Sequence, residues 1–333
     1  MRAAWYDSTG PASEVLVVGE LPDPQPLAGE VRIALHASGI NVGDVKKRAA
    51  WAGSPMPYPR VIPHSDGAGV IDAVGAGISR RRLGERVWCY GAQSYRAFGT
   101  AAQYVTLPSA LAVGLSHEAS YEVGACLGIP GITAHRALFA DGSIDGRTVL
   151  VSGALGAVGS VAVQLARWRG ARVLATVRRP EQQQAARDLG AEVFVTREPG
   201  VADSIRRIAP DGVDRIVEVA FDANAELNSR ILAGDGAIAS YASTATHPQF
   251  PYWPLAFANA TIRLLGSDDF PAEAKAQAAA DLTDAVAAGA LQVSIARRYP
   301  LEEIAAAHDA VAAGSPGRVV LTLRDSAPPP QPP

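Results

Sequence analysis

Residues 149–168 read VLVSGALGAVGSVAVQLARW: an apolar strand, a turn carrying Gly153, Gly156 and Gly159, and a helix with one apolar stripe, in immediate succession. A strand that stops at a Gly-rich turn and enters a helix aims the helix's unpaired N–H groups and positive dipole end across the turn. A pyrophosphate is the usual occupant of that position. Each glycine has its own physical reason: Gly153 permits the sharp exit from the strand, Gly156 lets phosphate oxygens approach a backbone without Cβ, and Gly159 lets the helix pack closely on the strand. The spacing is G-x-x-G-x-x-G rather than the commoner G-x-G-x-x-G, and Gly-rich turns also join strands to helices that bind nothing. Context favours a dinucleotide site. Val158, Val161, Ala162, Leu165 and Trp168 recur at helical spacing, and a second strand, Arg172–Val177, follows at once.

The end of that second strand speaks to which dinucleotide. An NAD site places a carboxylate there for the adenosine ribose, whereas an NADP site places basic residues to meet the 2′-phosphate. This chain has Arg178 and Arg179, whose guanidinium forks suit bidentate phosphate binding. The nearest acid, Glu181, follows Pro180 and reads as a charge at the start of a helix. A solvated surface pair is the plainer reading of the two arginines. The predicted cofactor is NADPH.

With 333 residues, 48% of them hydrophobic, the chain has material for a large core and two domains. A net charge of -3 argues against a nucleic-acid or anionic-membrane partner, both of which need a strong basic field. Cys89 and Cys126 fit no metal or redox spacing and read as buried thiols of a reducing compartment. The first residues, MRAAWYDSTGPAS, lack the apolar core of a signal peptide, so a soluble cytoplasmic protein is expected.

Residues 1–122 show short β-like runs, at 30–37, 67–74, 85–90 and 101–107, broken by Gly and Pro. From about Gly131 the period changes to alternating helices and strands, with strands expected at residues 148–152, 172–177, 192–195, 215–219, 237–241 and 262–266. Such alternation predicts a parallel sheet with helices on both faces, and six strands suit two mononucleotide-binding halves. Two helical stretches, 272–288 and 301–313, and a strand at 318–323 come next. The expected fold class is α/β: a doubly wound parallel sheet inserted into a β-rich lobe. The expected boundaries are 1–125 for the first part of that lobe, 126–266 for the cofactor domain, 267–324 for the return and 325–333 for a solvated polyproline-like tail.

These features together resemble the zinc-independent NADPH:quinone oxidoreductases of the ζ-crystallin type, within the medium-chain dehydrogenase/reductase superfamily. The similarity is carried by GINVGD (residues 39–44), PHSDGAGVIDAVG (63–75), GERVW (84–88), ITAHRAL (132–138), SGALGAVG and YPLEEIAAAHDAV (299–311). It implies a GroES-like barrel lobe around a Rossmann domain. Zinc-dependent relatives place a Cys where this chain has Asn41 and a His-Glu pair where it has Ser65 and Asp66. His64 stands one position early and is expected to pack against the turn. No metal is expected.

The resemblance assigns roles. Asn41 is the expected catalytic residue, beside the nicotinamide and the substrate, with a turn residue after a strand as its other reading. Thr133 is similar to a hydroxyl lining the nicotinamide pocket, or is a helix N-cap. Tyr241 and Phe270 are similar to residues at strand ends flanking the ring. Gly153, Leu155, Gly156, Ala157 and Val158 are expected to meet the pyrophosphate, and Arg178 and Arg179 the 2′-phosphate. Lys46 and Lys47 stand where relatives often carry tyrosine, and read more simply as solvated lysines. The implied activity is hydride transfer to a quinone or similar electron-poor carbonyl, with Asn41 bonding the acceptor carbonyl and Asp44 orienting the loop. The alternatives are reduction of an enone or enoyl double bond, and a non-catalytic NADPH-binding role. A homodimer or homotetramer is expected, pairing the sheet edge near residues 262–266 between subunits.

Overall fold

In the first part of the chain the short β-branched runs become strands. They are β1 (Arg2–Trp5), β2 (Val17–Glu20), β3 (Glu30–Gly39), β4 (Asp66–Val74), β5 (Arg86–Cys89), β6 (Tyr104–Pro108) and β7 (Ala112–Gly114). Val31, Ile33 and Leu35 of β3 alternate inward and meet Ile71, Val87, Val105 and Leu107 in one buried cluster, as a period of two dictates. Each fully buried Val, Leu or Ile contributes roughly 1.5–3 kcal/mol relative to exposure. This computed structural model describes residues 1–324, so the tail expected at 325–333 lies outside the described residues.

The middle of the chain builds a second sheet from β8 (Thr148–Ser152), β9 (Arg172–Val177), β10 (Glu192–Val195), β11 (Val213–Glu218), β12 (Leu232–Ser240) and β13 (Thr261–Leu264). Their order is β10-β9-β8-β11-β12-β13, and every pair is parallel. Helices connect successive strands, so β8 and β9 are buried on both faces and read as nearly unbroken apolar runs. The order reverses direction between β8 and β11. That reversal opens the crevice at which doubly wound sheets bind ligands.

Two strands then return, β14 (Ile295–Pro300) and β15 (Arg318–Thr322), paired in parallel. β15 runs antiparallel along the C-terminal half of β3, while β6 takes the N-terminal half. The seven-stranded sheet of the first lobe is thereby completed, in the order β14-β15-β3-β4-β5-β7 with β6 beside β3. No strand was expected at β14, because its exposed Arg297 and Arg298 break the apolar alternation.

Two compact units result, residues 130–292 and, on either side, the other described residues, 1–129 and 293–324. The expected return at residue 267 is therefore displaced. Helix Ala272–Ala287 belongs with the parallel sheet's unit, where it buries Ala278, Ala279, Leu282 and Ala285. Its Asp281 Oδ2 lies 2.8 Å from His135 Nε2, and beyond it Gln292 N donates to Gln164 Oε1 at 2.9 Å. A helical period alone does not say which core a helix faces, and these polar partners are far away in sequence.

Candidate functional site

Parallel register gathers the C-terminal ends of four strands on one edge: Ser152 pairs with Thr176, Val151 with Val217 and Glu218 with Ser240. There the Gly-rich turn begins at Gly153, whose φ of 69° lies in the left-handed region that favours glycine. The turn is tied to the neighbouring strand, since Gly153 N and Ala154 N both donate to Thr176 O at 3.1 Å. A Cβ on Gly159 would stand 2.3 Å from Gly153 O, so only glycine lets the helix approach this closely. Gly156 caps helix Ala157–Trp168 without a side chain. The first-turn N–H groups of Ala157 and Val158 have no intrahelical acceptor and sit beside half-buried Leu155. Bare amides at the start of a helix suit a pyrophosphate.

Arg178 and Arg179 follow β9 on the same edge, and both are exposed. Their backbone N–H groups donate to Gln182 Oε1 at 3.2 Å, which closes the chain reversal without using either guanidinium. Glu181 lies in the first turn of the short helix Pro180–Gln182, as expected of a helix-start charge. The residues fit a phosphorylated dinucleotide: a Cβ-free turn, unpaired amides and two cations on one edge.

The end of β11 carries a group that the sequence did not mark. Glu218 is fully buried and accepts from Ala220 N at 2.6 Å, Asn224 Nδ2 at 2.9 Å and Asn228 Nδ2 at 2.8 Å. Asn224 Nδ2 also reaches Ser152 Oγ at 3.0 Å, linking Glu218 to the last residue of β8. The available signal was the i, i+4 spacing of Asn224 and Asn228 after an acidic strand end.

Tyr241 follows β12, and its N–H donates to Glu218 O at 3.1 Å. Burial, with the Glu218 charge behind it, holds its phenol above the ordinary value, so it stays protonated at neutral pH. Thr133 is buried inside helix Gly128–Phe139 rather than at its N-cap. Phe270 is buried between the turn Ser267–Asp269 and the helix Ala272–Ala287, six residues past the end of β13 and not at a strand end.

The other unit holds a buried polar cluster around Asn41. Asn41 is the N-cap residue of helix Val42–Arg48, and its N–H donates to Asp44 Oδ2 at 2.7 Å. Its turn role and its side-chain role coexist. Asn41 Oδ1 accepts from Arg318 Nη2 at 2.8 Å and Nδ2 donates to Asp66 Oδ2 at 2.6 Å. Both Asp66 oxygens also accept from Ile129 N, at 3.0 and 2.9 Å. Nearby, Lys46 Nζ lies over the Trp51 ring, 4.5 Å from its centroid, a cation–π contact at the surface.

His64 does more than pack against the turn. Fully buried at φ 76°, it pairs its Nδ1 with Ser38 Oγ at 2.9 Å and its Nε2 with His308 Nε2 at 2.9 Å. Burial, then the neighbouring His308 and Arg318, holds it well below the ordinary imidazole value, and burial beside Arg48 brings His308 down to about 3. Asp66 shifts the other way. Burial raises it to about 7 against the pull of Asn41, while Asp44 raises it further and Arg318 and Ile129 lower it.

The shifts on histidine and aspartate oppose one another in their effect on stability. The histidines stay neutral in the fold, so their contribution is complete above about pH 6.5 and is lost as pH falls toward the native values. Asp66 contributes fully below its unfolded value of 3.8, and that contribution is lost as pH rises through about 7. Urea unfolding of Asp66→Asn beside the wild type should therefore show the wild type's relative stability falling by about 1.4 kcal/mol per pH unit between pH ~4 and ~7. A difference independent of pH would contradict the assignment.

Comparison with known proteins matches residues 27–117 to the alcohol dehydrogenase GroES-like domain and residues 157–281 to the family described as zinc-binding dehydrogenase. Quinone oxidoreductase of Homo sapiens is 31% identical over 330 residues, covering 97% of this chain and 98% of that protein. The Mus musculus protein of the same name is 32% identical over 334 residues, covering 97% and 98%. A solved mycobacterial quinone oxidoreductase superposes with a TM-score of 0.84 at 27% identity, covering 97% of this chain and 100% of its own. A mycobacterial structure complexed with NADPH gives the same figures. The GroES-like lobe, the parallel sheet with its pyridine-nucleotide-binding turn, and these near-full-length relatives agree. The chain belongs to the medium-chain dehydrogenase/reductase superfamily and is an oxidoreductase related to the quinone oxidoreductases.

Proposed function

We propose that the chain is an NADPH-dependent reductase that passes a hydride to a quinone or a similar electron-poor carbonyl acceptor without zinc. The observation that carries this is the pair of exposed guanidinium groups, Arg178 and Arg179, on the same sheet edge as the Gly153–Gly159 turn, with no carboxylate at the end of β9. The relatives' names and the NADPH bound to the mycobacterial neighbour support it.

Backbone amides at Ala157 and Val158, beside Leu155 and the Cβ-free Gly156, would receive the pyrophosphate, and the two arginines the 2′-phosphate. Thr133, Tyr241 and Phe270 contribute to the nicotinamide pocket. The bound cofactor supplies the hydride. Asn41 donates an amide N–H to the acceptor oxygen as negative charge develops there, and the final proton comes from solvent. Zinc is disfavoured at Asn41 because the Arg318 guanidinium already lies 2.8 Å from its Oδ1 and would repel a dication.

Self-association through β13 belongs to the same proposal. Only β12 pairs with it among the described residues, Leu264 on it is 76% exposed, and helix Tyr252–Phe257 exposes Tyr252, Trp253 and Phe257.

Steady-state oxidation of NADPH across simple benzoquinones, naphthoquinones and enones tests the reaction. Quinones should exceed enones by about 10-fold or more in kcat/KM, a transition-state difference of about 1.4 kcal/mol, and dialysis against a chelator should leave the rate unchanged. No oxidation with any quinone would defeat this assignment, and preference for enones would favour double-bond reduction on the same fold.

A further inference from the structure

We propose that Asp66 and Arg318 are positioning residues that hold the Asn41 side-chain amide from both ends, so that its remaining N–H is the donor offered to the acceptor oxygen. The proposal rests on the reductase assignment above. Three adjacent strands create the arrangement, since Gly39 of β3 pairs with Asp66 of β4 on one side and with Val320 of β15 on the other. Asn41 begins the helix two residues beyond Gly39, and Arg318 begins β15 two residues before Val320.

An amide has an acceptor end and a donor end, and interchanging them reverses what it offers a substrate. A guanidinium only donates, so Arg318 Nη2 at 2.8 Å fixes Oδ1 on its side. Above about pH 7 Asp66 is an ionised carboxylate that only accepts, so its Oδ2 at 2.6 Å fixes Nδ2 on the other. The orientation is therefore determined chemically as well as sterically. Asp66 takes one of the two amide hydrogens, and the second remains available to a ligand. Asn41, Asp66 and Arg318 are 7%, 0% and 7% exposed, so little water competes for these bonds.

Asp66 is itself held in place. A Cβ on Gly128 would lie 2.1 Å from Asp66 Oδ1, so a glycine there is what allows the carboxylate to reach the Ile129 N–H. A carboxylate seated this tightly can fix the direction of a neighbouring amide to within the tolerance that transition-state hydrogen bonding needs.

The test compares Arg318→Met, Arg318→Lys and Asp66→Asn with the wild type, by kinetics and by crystal structures without acceptor. Arg318→Met and Asp66→Asn should lower kcat by roughly 10- to 100-fold, less than the ~100- to 1000-fold cost of deleting a preorganised donor because the amide is misdirected rather than removed, while the KM for NADPH changes by less than about 2-fold. Arg318→Lys keeps the charge and one donor, and should fall between Met and wild type. In the Arg318→Met crystal the Asn41 amide should leave Asp66, with Nδ2 more than about 3.5 Å from Oδ2. Should Arg318→Met not fold, Arg318→Gln, which swaps the cation for a neutral amide, carries the crystallographic readout and Asp66→Asn the kinetic one. An unmoved amide in the Arg318→Met crystal overturns the proposal, as does a kcat for Arg318→Met within 2-fold of wild type or a kcat loss matched by loss of NADPH binding. Failure of the reductase assignment looks different: the wild type itself would turn over no acceptor, and the position of the amide in the crystals would still decide whether Arg318 and Asp66 hold it.

Discussion

Replacing Arg178 and Arg179 together with alanine should raise the KM for NADPH by roughly 100-fold and leave that for NADH within about 3-fold. Each charge-assisted bond to the 2′-phosphate is worth about 1.5–3 kcal/mol. Both side chains are exposed, so solvent screening places the combined loss near the lower end, about 3 kcal/mol. NADH has no 2′-phosphate and loses nothing specific. The same origin makes the preference sensitive to salt: raising ionic strength from ~0.05 to ~0.5 M should shrink the wild type's NADPH advantage and barely affect the double variant. Competition of 2′-phospho-AMP against NADPH measures the same contact without turnover. Equal losses for both cofactors would show that the arginines do not read this phosphate.

Glu218→Leu should destabilise the parallel-sheet unit by about 4 kcal/mol, lowering the thermal midpoint by about 10 °C. The carboxylate is fully buried and is the acceptor for three donors, from Ala220, Asn224 and Asn228. Leucine removes the acceptor while leaving those donors away from water, and each orphaned group costs about 1–3 kcal/mol. Ser152 Oγ still bonds one of them, so the sum stays below the upper limit. Glu218→Gln keeps an oxygen for part of the set and should lose about half as much. Guanidinium unfolding in the absence of cofactor reads both variants. A loss under 1 kcal/mol for Glu218→Leu would mean that water reaches these groups.

What the sequence revealed and what it hid divide along physical lines. The strands Thr148–Ser152 and Arg172–Val177 were legible to the residue, because burial on two faces leaves an unbroken apolar run. The Gly153, Gly156 and Gly159 turn was legible because close approach permits no Cβ. β14 was not, since a strand with an exposed face and two arginines has no apolar alternation. Helix Ala272–Ala287 was found as a helix but given to the wrong lobe, because its partners His135 and Gly131 lie about 150 positions away.

The buried polar clusters were the least legible. Asn41 was singled out through resemblance alone, and nothing local joins it to Arg318 across 277 positions. His64 and His308, 244 positions apart, pose the same difficulty. Long-range hydrogen bonds leave no period in a sequence.

The most direct measurement is a crystal structure of the intact chain with NADPH. The 2′-phosphate should lie within hydrogen-bond distance of the Arg178 or Arg179 guanidinium, and the pyrophosphate over Gly156 against the amides of Ala157 and Val158. Density for NADPH elsewhere, or both guanidinium groups turned into solvent while the cofactor is bound, would contradict the account.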